Sequence, residues 1–531
     1  MLNMLLKGSN SSDEALEGQA HAGMWDSGPL KTKLVRVDWL IIVTLSIVAL
    51  ALRLYSIGYA SFWFDELWTW RVSHLGFGGL FQALKEDIHL PCFFMIEVVF
   101  IKLFGDSEAV LRVPSVIFGT LAVGAVYVLG RRLFGRLVGF MAAIMVVFGV
   151  FSFFYSQEAR PYAMMLFLGS VTSYLWYQLY ERIFVDQQPP GKLGMGLWVL
   201  LVISCFTHYF AVLLTLFQLT IFACVAFKYK RGRKLFGLYC GGLALLALLW
   251  TPILAAQLSD LFTWTQAMSF LAAFWNEMDF NFGGMWMGVT AGHIFQVLVL
   301  LVTLLFLFKK GASFLRPETP REYNLASLVF AVWLIPFVFV QTITMLVTPI
   351  FVDKYLIFTM PFALFALTFQ IERLRIPVAG RIAVALLLVG LPACFSEKND
   401  SWYTGPNRNH LGDWKSVITD IKGGIPSKGK TVLLAITERT GVAEYYFGKI
   451  IPELPITAVA TKRVEVPKAV EMAIAAHPDH ILFFYGEAVQ PEQVKTVILA
   501  GGMLQKRYGK PRYISFERER PIGALMFDVK H

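Results

Sequence analysis

Charge is scarce in this chain. Only 16% of its 531 residues are Asp, Glu, Lys or Arg, against about a quarter in ordinary soluble domains. Apolar residues make up 56%, and the mean hydropathy is +0.59. That balance excludes a water-soluble globular protein and fits a polytopic membrane protein. Cysteine is also sparse. The five (Cys92, Cys205, Cys224, Cys240 and Cys394) lie in or beside apolar segments, and none falls in the polar C-terminal region. This excludes a disulfide framework there, and the lack of any CxxC pair removes the usual thiolate metal site. A Walker phosphate loop is missing, which argues against a primary pump. The first thirty residues lack the basic-then-apolar order of a signal peptide. They are polar, include Asp13, Glu14 and Glu17, and read with the residues to 36 as a cytoplasmic tail.

What is present is a series of apolar runs punctuated by basic clusters. The net charge of +10 does not point to nucleic acid, because Lys and Arg gather in short loops where they set orientation. Lys31, Lys33 and Arg36 precede the first run, 37–57, which is long enough to cross a bilayer since about 20 apolar residues suffice. The start of that run is therefore inside and Asp65 outside. The apolar stretch 91–104 is short and carries Glu97 and Lys102. Read as an in-plane juxtamembrane helix, it keeps 58–112 together as one external loop. Later spans then alternate at 113–130, 137–155, 162–180, 193–207, 210–227, 235–256, 291–308, 324–347, 355–370 and 382–395. Every basic cluster falls inside, and the loop 257–290, which has no Lys or Arg, falls outside. The expectation is about eleven transmembrane helices over 37–395.

From 396 to 531 the chain turns polar, and helix and strand periods alternate. Strands are expected near 431–436, 481–485, 513–516 and 524–529, with helices near 442–446, 466–476 and 493–500. About 135 residues can enclose their own core, so this is expected to be an extracytoplasmic α/β domain. No Gly-rich phosphate loop or nucleophile elbow occurs in it, and it reads as an accessory domain.

The external polar residues come from separate turns. Phe62-Trp63-Phe64-Asp65-Glu66 sets two adjacent carboxylates in an aromatic collar at the end of the first span. Tyr155-Ser156-Gln157-Glu158-Ala159-Arg160-Pro161-Tyr162 leads into a helix, since proline suits a first turn. Glu158 and Arg160 then lie at a helix N-terminus, which favours an anion or an ordered carboxylate. The plainer alternative is that Glu158 caps that helix and pairs with Arg160. His89 before Pro91 is open to two readings, holding a phosphate or satisfying a loop carbonyl. His208 reads more readily as packing at the interface.

Together these motifs resemble the GT-C superfamily of membrane glycosyltransferases. The nearest pattern is that of bacterial family-39-type enzymes related to protein O-mannosyltransferases and lipid A aminoarabinose transferases. Trp63-Phe64-Asp65-Glu66 resembles the Asp-Glu signature of that family's first external loop, and His89-Leu90-Pro91 its His-Pro-Pro segment. Leu111-Arg112-Val113-Pro114-Ser115 and Gly130-Arg131-Arg132-Leu133-Phe134-Gly135 resemble its second span. The 155–162 loop, Thr207-His208-Tyr209, and Pro349 to Leu356 resemble later landmarks. The resemblance covers about 37–375. Leu90 stands where a proline is usual and Lys354 where arginine is commoner.

The resemblance implies transfer of a sugar from a polyprenyl-phosphate donor to an acceptor hydroxyl at the outer face of the cytoplasmic (inner) membrane. On the family's pattern Asp65 is the general base, with Glu66 and Glu158 beside the chemistry. A base in reach of the acceptor takes its proton as it attacks the anomeric carbon, and direct displacement inverts that centre. The lipid phosphate leaving group needs positive charge. Arg160 and Lys354 are placed to supply it, with His89 and His208 as further substrate-binding candidates. Asp65, Glu66 and Glu158 would suit a divalent cation, but nothing in the sequence demands one. The acceptor is open among protein, lipid and glycan, and membrane lipids surround the spans. Two other classes stay open, a secondary transporter and a lipid-carrier-dependent polysaccharide polymerase or ligase. Transporters favour mid-membrane polar sites and internal repeats, whereas here the charges share one face.

Overall fold

The computed structural model describes residues 33–85, 88–229, 232–257, 268–282, 321–394, 414–437, 440–454, 456–460, 463–486, 491–517 and 522–529. In chain order the helices up to the polar region are α1 (Arg36–Leu54), α2 (Phe64–His74), α3 (Gly76–Ala83), α4 (Pro91–Phe104), α5 (Glu108–Phe134), α6 (Arg136–Phe148), α7 (Val150–Tyr155), α8 (Tyr162–Tyr180), α9 (Gly191–Cys205), α10 (Ala211–Tyr229), α11 (Arg233–Gln257), α12 (Phe270–Phe282), α13 (Arg321–Leu346), α14 (Met360–Glu372) and α15 (Val378–Cys394). A 3₁₀ turn, Asp353–Thr359, leads into α14. Among the described residues five stretches are long and apolar enough to cross a membrane: Arg36–Leu54, Glu108–Phe134, Arg233–Ala255, Leu328–Leu346 and Asp353–Glu372. With the shorter apolar helices at Arg136–Phe148, Gly191–Cys205, Ala211–Cys224 and Val378–Val389, this is a multi-pass membrane protein. The expected span at 291–308 lies outside the described residues.

Two compact units emerge. Of the described residues, those up to Ile57 and those from Val72 through α15 form the first. Gly58–Arg71 joins the residues from Trp414 onward in the second. The division therefore falls inside α2.

In the first unit α5 packs against α1, α6 and α8. It begins at Ser107, whose Oγ accepts from the Val110 amide at 3.4 Å, and ends at Gly135, where φ is +101°. That left-handed value suits glycine alone and lets α6 fold straight back. The hairpin is tight. A Cβ at Gly130 would meet the Gly139 Cα at 2.8 Å and the Phe365 ring at 2.6 Å. Asp38 ties the same region together: it accepts from Arg131 Nε and Arg136 Nε, each at 2.9 Å, and from the Tyr127 hydroxyl at 2.6 Å. Arg132 pairs with Glu181. Arginines that the sequence presents as orientation signals are thus also buried pairing groups.

The expected 137–155 span is interrupted. Gly149 is extended (φ −66°, ψ 130°) and separates α6 from α7. Ser152 Oγ donates to the Val146 carbonyl at 2.7 Å and satisfies an acceptor that the break releases. The 91–104 stretch is helical, as expected, with Pro91 in its first turn. Part of the 257–290 loop forms α12, which packs on α13 through Phe270 and Phe274 against Phe337.

The second unit holds a five-stranded sheet of order β2-β1-β3-β5-β4. Its strands are β1 (Thr431–Thr437), β2 (Ile456–Ala460), β3 (His480–Gly486), β4 (Arg512–Glu517) and β5 (Ile522–Asp528). β2, β1 and β3 are parallel; β5 runs antiparallel to β3 and β4. Helices α16 (Trp414–Gly424), α17 (Val466–Ala475) and α18 (Pro491–Tyr508) accompany it. The α/β reading of this region holds. Two elements were not anticipated, α16 and β2, although Trp414, Val417, Ile418 and Ile421 are all buried at helical spacing.

Candidate active site

Separate turns of the first unit bring basic side chains together. Arg160, 3% exposed, places Nη2 2.6 Å from His89 Nε2. A guanidinium only donates, so Nε2 accepts and the imidazole proton sits on Nδ1. The loop carrying Arg160 is held at several points. Ser115 Oγ donates to the Arg160 carbonyl at 3.0 Å, and Gln157 Nε2 donates to the carbonyls of Arg53 and Tyr55 at 2.7 and 3.2 Å. The 155–162 turn is therefore fixed on α1 and α5 rather than projecting freely.

Lys354 approaches the same place from the turn before α14. Its Nζ lies 5.2 Å from the centre of the Tyr162 ring, and its amide donates to Asp353 Oδ1 at 2.7 Å. Thr344 Oγ1 accepts from the amides of Ile350 and Phe351 at 3.2 and 2.9 Å and anchors that turn. His208 completes the group. Its ring lies 4.7 Å from Tyr355 and 6.3 Å from Tyr162. Its Nδ1 accepts from the Phe210 amide at 3.2 Å. Desolvation holds the His208 imidazole well below the usual histidine range, and the charges of Arg160 and Lys354 push the same way. His208 thus packs among aromatic rings and lies within the field of Arg160 and Lys354.

Glu158 is 5% exposed, and its carbonyl accepts from the Arg160 amide at 2.7 Å. The N-cap of α8 is Pro161, which makes no side-chain cap hydrogen bond. Tyr162 and Tyr355, stacked with centroids 6.3 Å apart, form an aromatic floor that sequence reasoning did not single out. Asp353 and the buried Glu277, which accepts from Asn281 Nδ2 at 2.9 Å, were also missed. Glu277 sits in a stretch read only as a loop.

Asp65 and Glu66 belong to the second unit. They open α2, and the two carboxylates differ. Glu66 is 1% exposed, and its Oε2 accepts from the Trp63 amide at 3.4 Å, closing the helix start as a capping side chain does. Asp65 is more exposed, and its carbonyl accepts from Thr69 Oγ1 at 3.0 Å. Among the described residues no group of three or more His, Cys, Asp or Glu is placed to hold a metal ion.

Residues 89–255 match the family model described as dolichyl-phosphate-mannose-protein mannosyltransferase. Two solved structures of ArnT from Cupriavidus metallidurans share the fold over nearly the full length. The form bound to undecaprenyl phosphate is 12% identical with a TM-score of 0.52, covering 93% of this chain and 98% of that one. The apo form is 12% identical with a TM-score of 0.51, covering 92% and 97%. The oligosaccharyltransferase of Archaeoglobus fulgidus in its apo form lies further off, at 12% identity and a TM-score of 0.47 over 92% of this chain and 74% of that one. No curated protein sequence matches. The fold is the one these ArnT structures have.

Proposed function

We propose that this protein transfers a sugar from a polyprenyl-phosphate donor to an acceptor hydroxyl at the outer face of the cytoplasmic membrane. The observation that carries the proposal is the cationic cluster of the first unit. Arg160 and Lys354, about 190 positions apart in a chain poor in charge, meet His89 and His208 around an aromatic floor. Two cations beside an aromatic floor create a positive local field that suits an anionic ligand. The fold-matched ArnT binds undecaprenyl phosphate, and the matching family model is named for a dolichyl-phosphate sugar donor.

In this reading Arg160 and Lys354 grip the phosphate as its charge grows on departure. Arg160 presents two donors to phosphate oxygens, and Lys354 acts as a point charge. His89 orients the guanidinium through its neutral Nε2. Tyr162 and Tyr355 offer faces against which a sugar ring packs. Asp65 takes the proton from the acceptor hydroxyl as that oxygen attacks the anomeric carbon, and the displacement inverts the centre. Glu66 holds the start of α2 in place, and Glu158 lies beside Arg160.

Binding of undecaprenyl phosphate to the purified protein tests the clamp. Charge-assisted contacts are worth roughly 1.5–3 kcal/mol each. Arg160→Ala and Lys354→Ala should therefore each weaken binding by about ten- to a hundredfold, and Lys354→Arg should be tolerated. Wild-type affinity in both alanine variants would remove the lipid phosphate from this cluster.

A further inference from the structure

The acidic segment does not stand alone at the head of α2. Within the second unit it is held from both sides. Before Asp65, the amide of the fully buried Phe62 donates to the Tyr446 hydroxyl at 2.5 Å. Lys415 Nζ donates to the Gly58 carbonyl at 2.8 Å and the Tyr59 carbonyl at 3.4 Å. The Lys415 amide donates to Ser61 Oγ at 3.2 Å. After Glu66, the Trp70 ring meets Tyr445 edge-on at 5.0 Å, and Phe62 meets the same ring at 5.0 Å. Arg71 Nε lies 3.7 Å from Glu444, and Gly441 lies directly against Leu67.

Gly441, Glu444, Tyr445 and Tyr446 have a common origin. Thr440–Val442, Ala443–Phe447 and Gly448–Ile450 make one helical run entered from the carboxyl end of β1. In sheets of this kind, order β2-β1-β3 makes the chain depart in opposite directions from β1 and β3. The carboxyl ends at that point form the usual seat for a functional element. Here the element is a piece of the chain itself, residues 58–71.

We propose that Tyr446 and Lys415 are positioning residues for Asp65, so that the C-terminal domain is a working part of the transferase and not an appendage. The inference rests on the reading of Asp65 as the base. A carboxylate in a loop scatters over many positions, whereas proton removal needs it within a few tenths of an ångström of its place. Tyr446 fixes the backbone three residues before Asp65, and Lys415 fixes the turn that leads to it. Neither touches a reacting atom.

The test uses the full-length protein in lipid nanodiscs, with Tyr446→Phe, Lys415→Met and Lys415→Arg. Hydrogen exchange over residues 58–66 reads the segment directly. Turnover with a polyprenyl-phosphate sugar and binding of undecaprenyl phosphate read the consequences. Tyr446→Phe and Lys415→Met should speed exchange over 58–66 and lower kcat by about ten- to a hundredfold, the cost of small misplacement, with unchanged affinity for undecaprenyl phosphate. Lys415→Arg should restore most of kcat. Unchanged exchange, unchanged kcat, or a parallel loss of affinity and kcat would overturn the proposal. A wild-type protein that uses no lipid-linked sugar would instead overturn the functional reading, and the exchange rates alone would then decide whether Tyr446 and Lys415 hold the segment.

Discussion

Glu66 and Asp65 are neighbours with different duties. Glu66 is enclosed and closes the start of α2 through the Trp63 amide, so Glu66→Gln should lower the thermal midpoint while turnover survives better than in a variant that neutralises Asp65. A Glu66→Gln protein as inactive as the Asp65 variant, at unchanged thermal midpoint, would reverse the two roles. His208 gives a pH prediction. Desolvation first, then Arg160 and Lys354, depress its pKa in the folded protein. Below about pH 6.5 the unfolded chain binds a proton that the native site refuses. Stability from this group is therefore intact above that pH and falls beneath it. His208→Gln should flatten the decline in thermal midpoint between about pH 7.5 and about pH 5, and an equal decline in both proteins would contradict the account. Arg160 and Lys354 stand out in the sequence because cations are scarce in a chain this apolar, but the contact of Arg160 with His89 shows only in the structure. Tyr162 and Tyr355 do not stand out, since aromatic residues are common here and only tertiary contact reveals which ones stack.

Helices α1, α5 and α8 were legible because a bilayer demands long apolar runs with every backbone group satisfied internally. The limits of α8, 162 to 180, follow from Pro161 and the polar turn before it. The break at Gly149 was not legible, because Gly occurs within many membrane helices without interrupting them. β2 is only five residues long, too short for its alternation to be distinctive. The hairpin of α5 and α6 supplies a prediction of its own. Gly130→Ala would drive a methyl group to 2.8 Å from the Gly139 backbone. Backbone yields less readily than a side chain, so the cost should be about 1–3 kcal/mol, typical of overpacking. Thermal unfolding of the purified variant measures it, and a wild-type midpoint would mean that the helices separate easily. At the inner end of the same hairpin, Asp38→Ala strands two buried arginines, and breaking such a pair typically costs about 3–5 kcal/mol. Poor yield or a much lower midpoint is the expected result, and a stable variant would show that Arg131 and Arg136 find other partners.

For the whole molecule, the account joins a GT-C membrane fold to an α/β domain that carries the segment with Asp65. The topology expected from the Lys and Arg distribution can be tested by labelling. With the native cysteines replaced, Lys85→Cys and Ser427→Cys should react with an impermeant thiol reagent from outside, and Arg231→Cys should not. Labelling of Arg231→Cys with Ser427→Cys silent would invert the topology. Purified full-length protein is given isotope-labelled undecaprenyl-phosphate sugars (hexose, pentose and amino sugar) with a cell-envelope fraction as acceptor. The wild type should release undecaprenyl phosphate and pass label to the acceptor, and Asp65→Asn should do so at least about 10²-fold more slowly, the low end for loss of a general base. A wild type that leaves every donor intact while moving a soluble solute across liposomes would contradict the account.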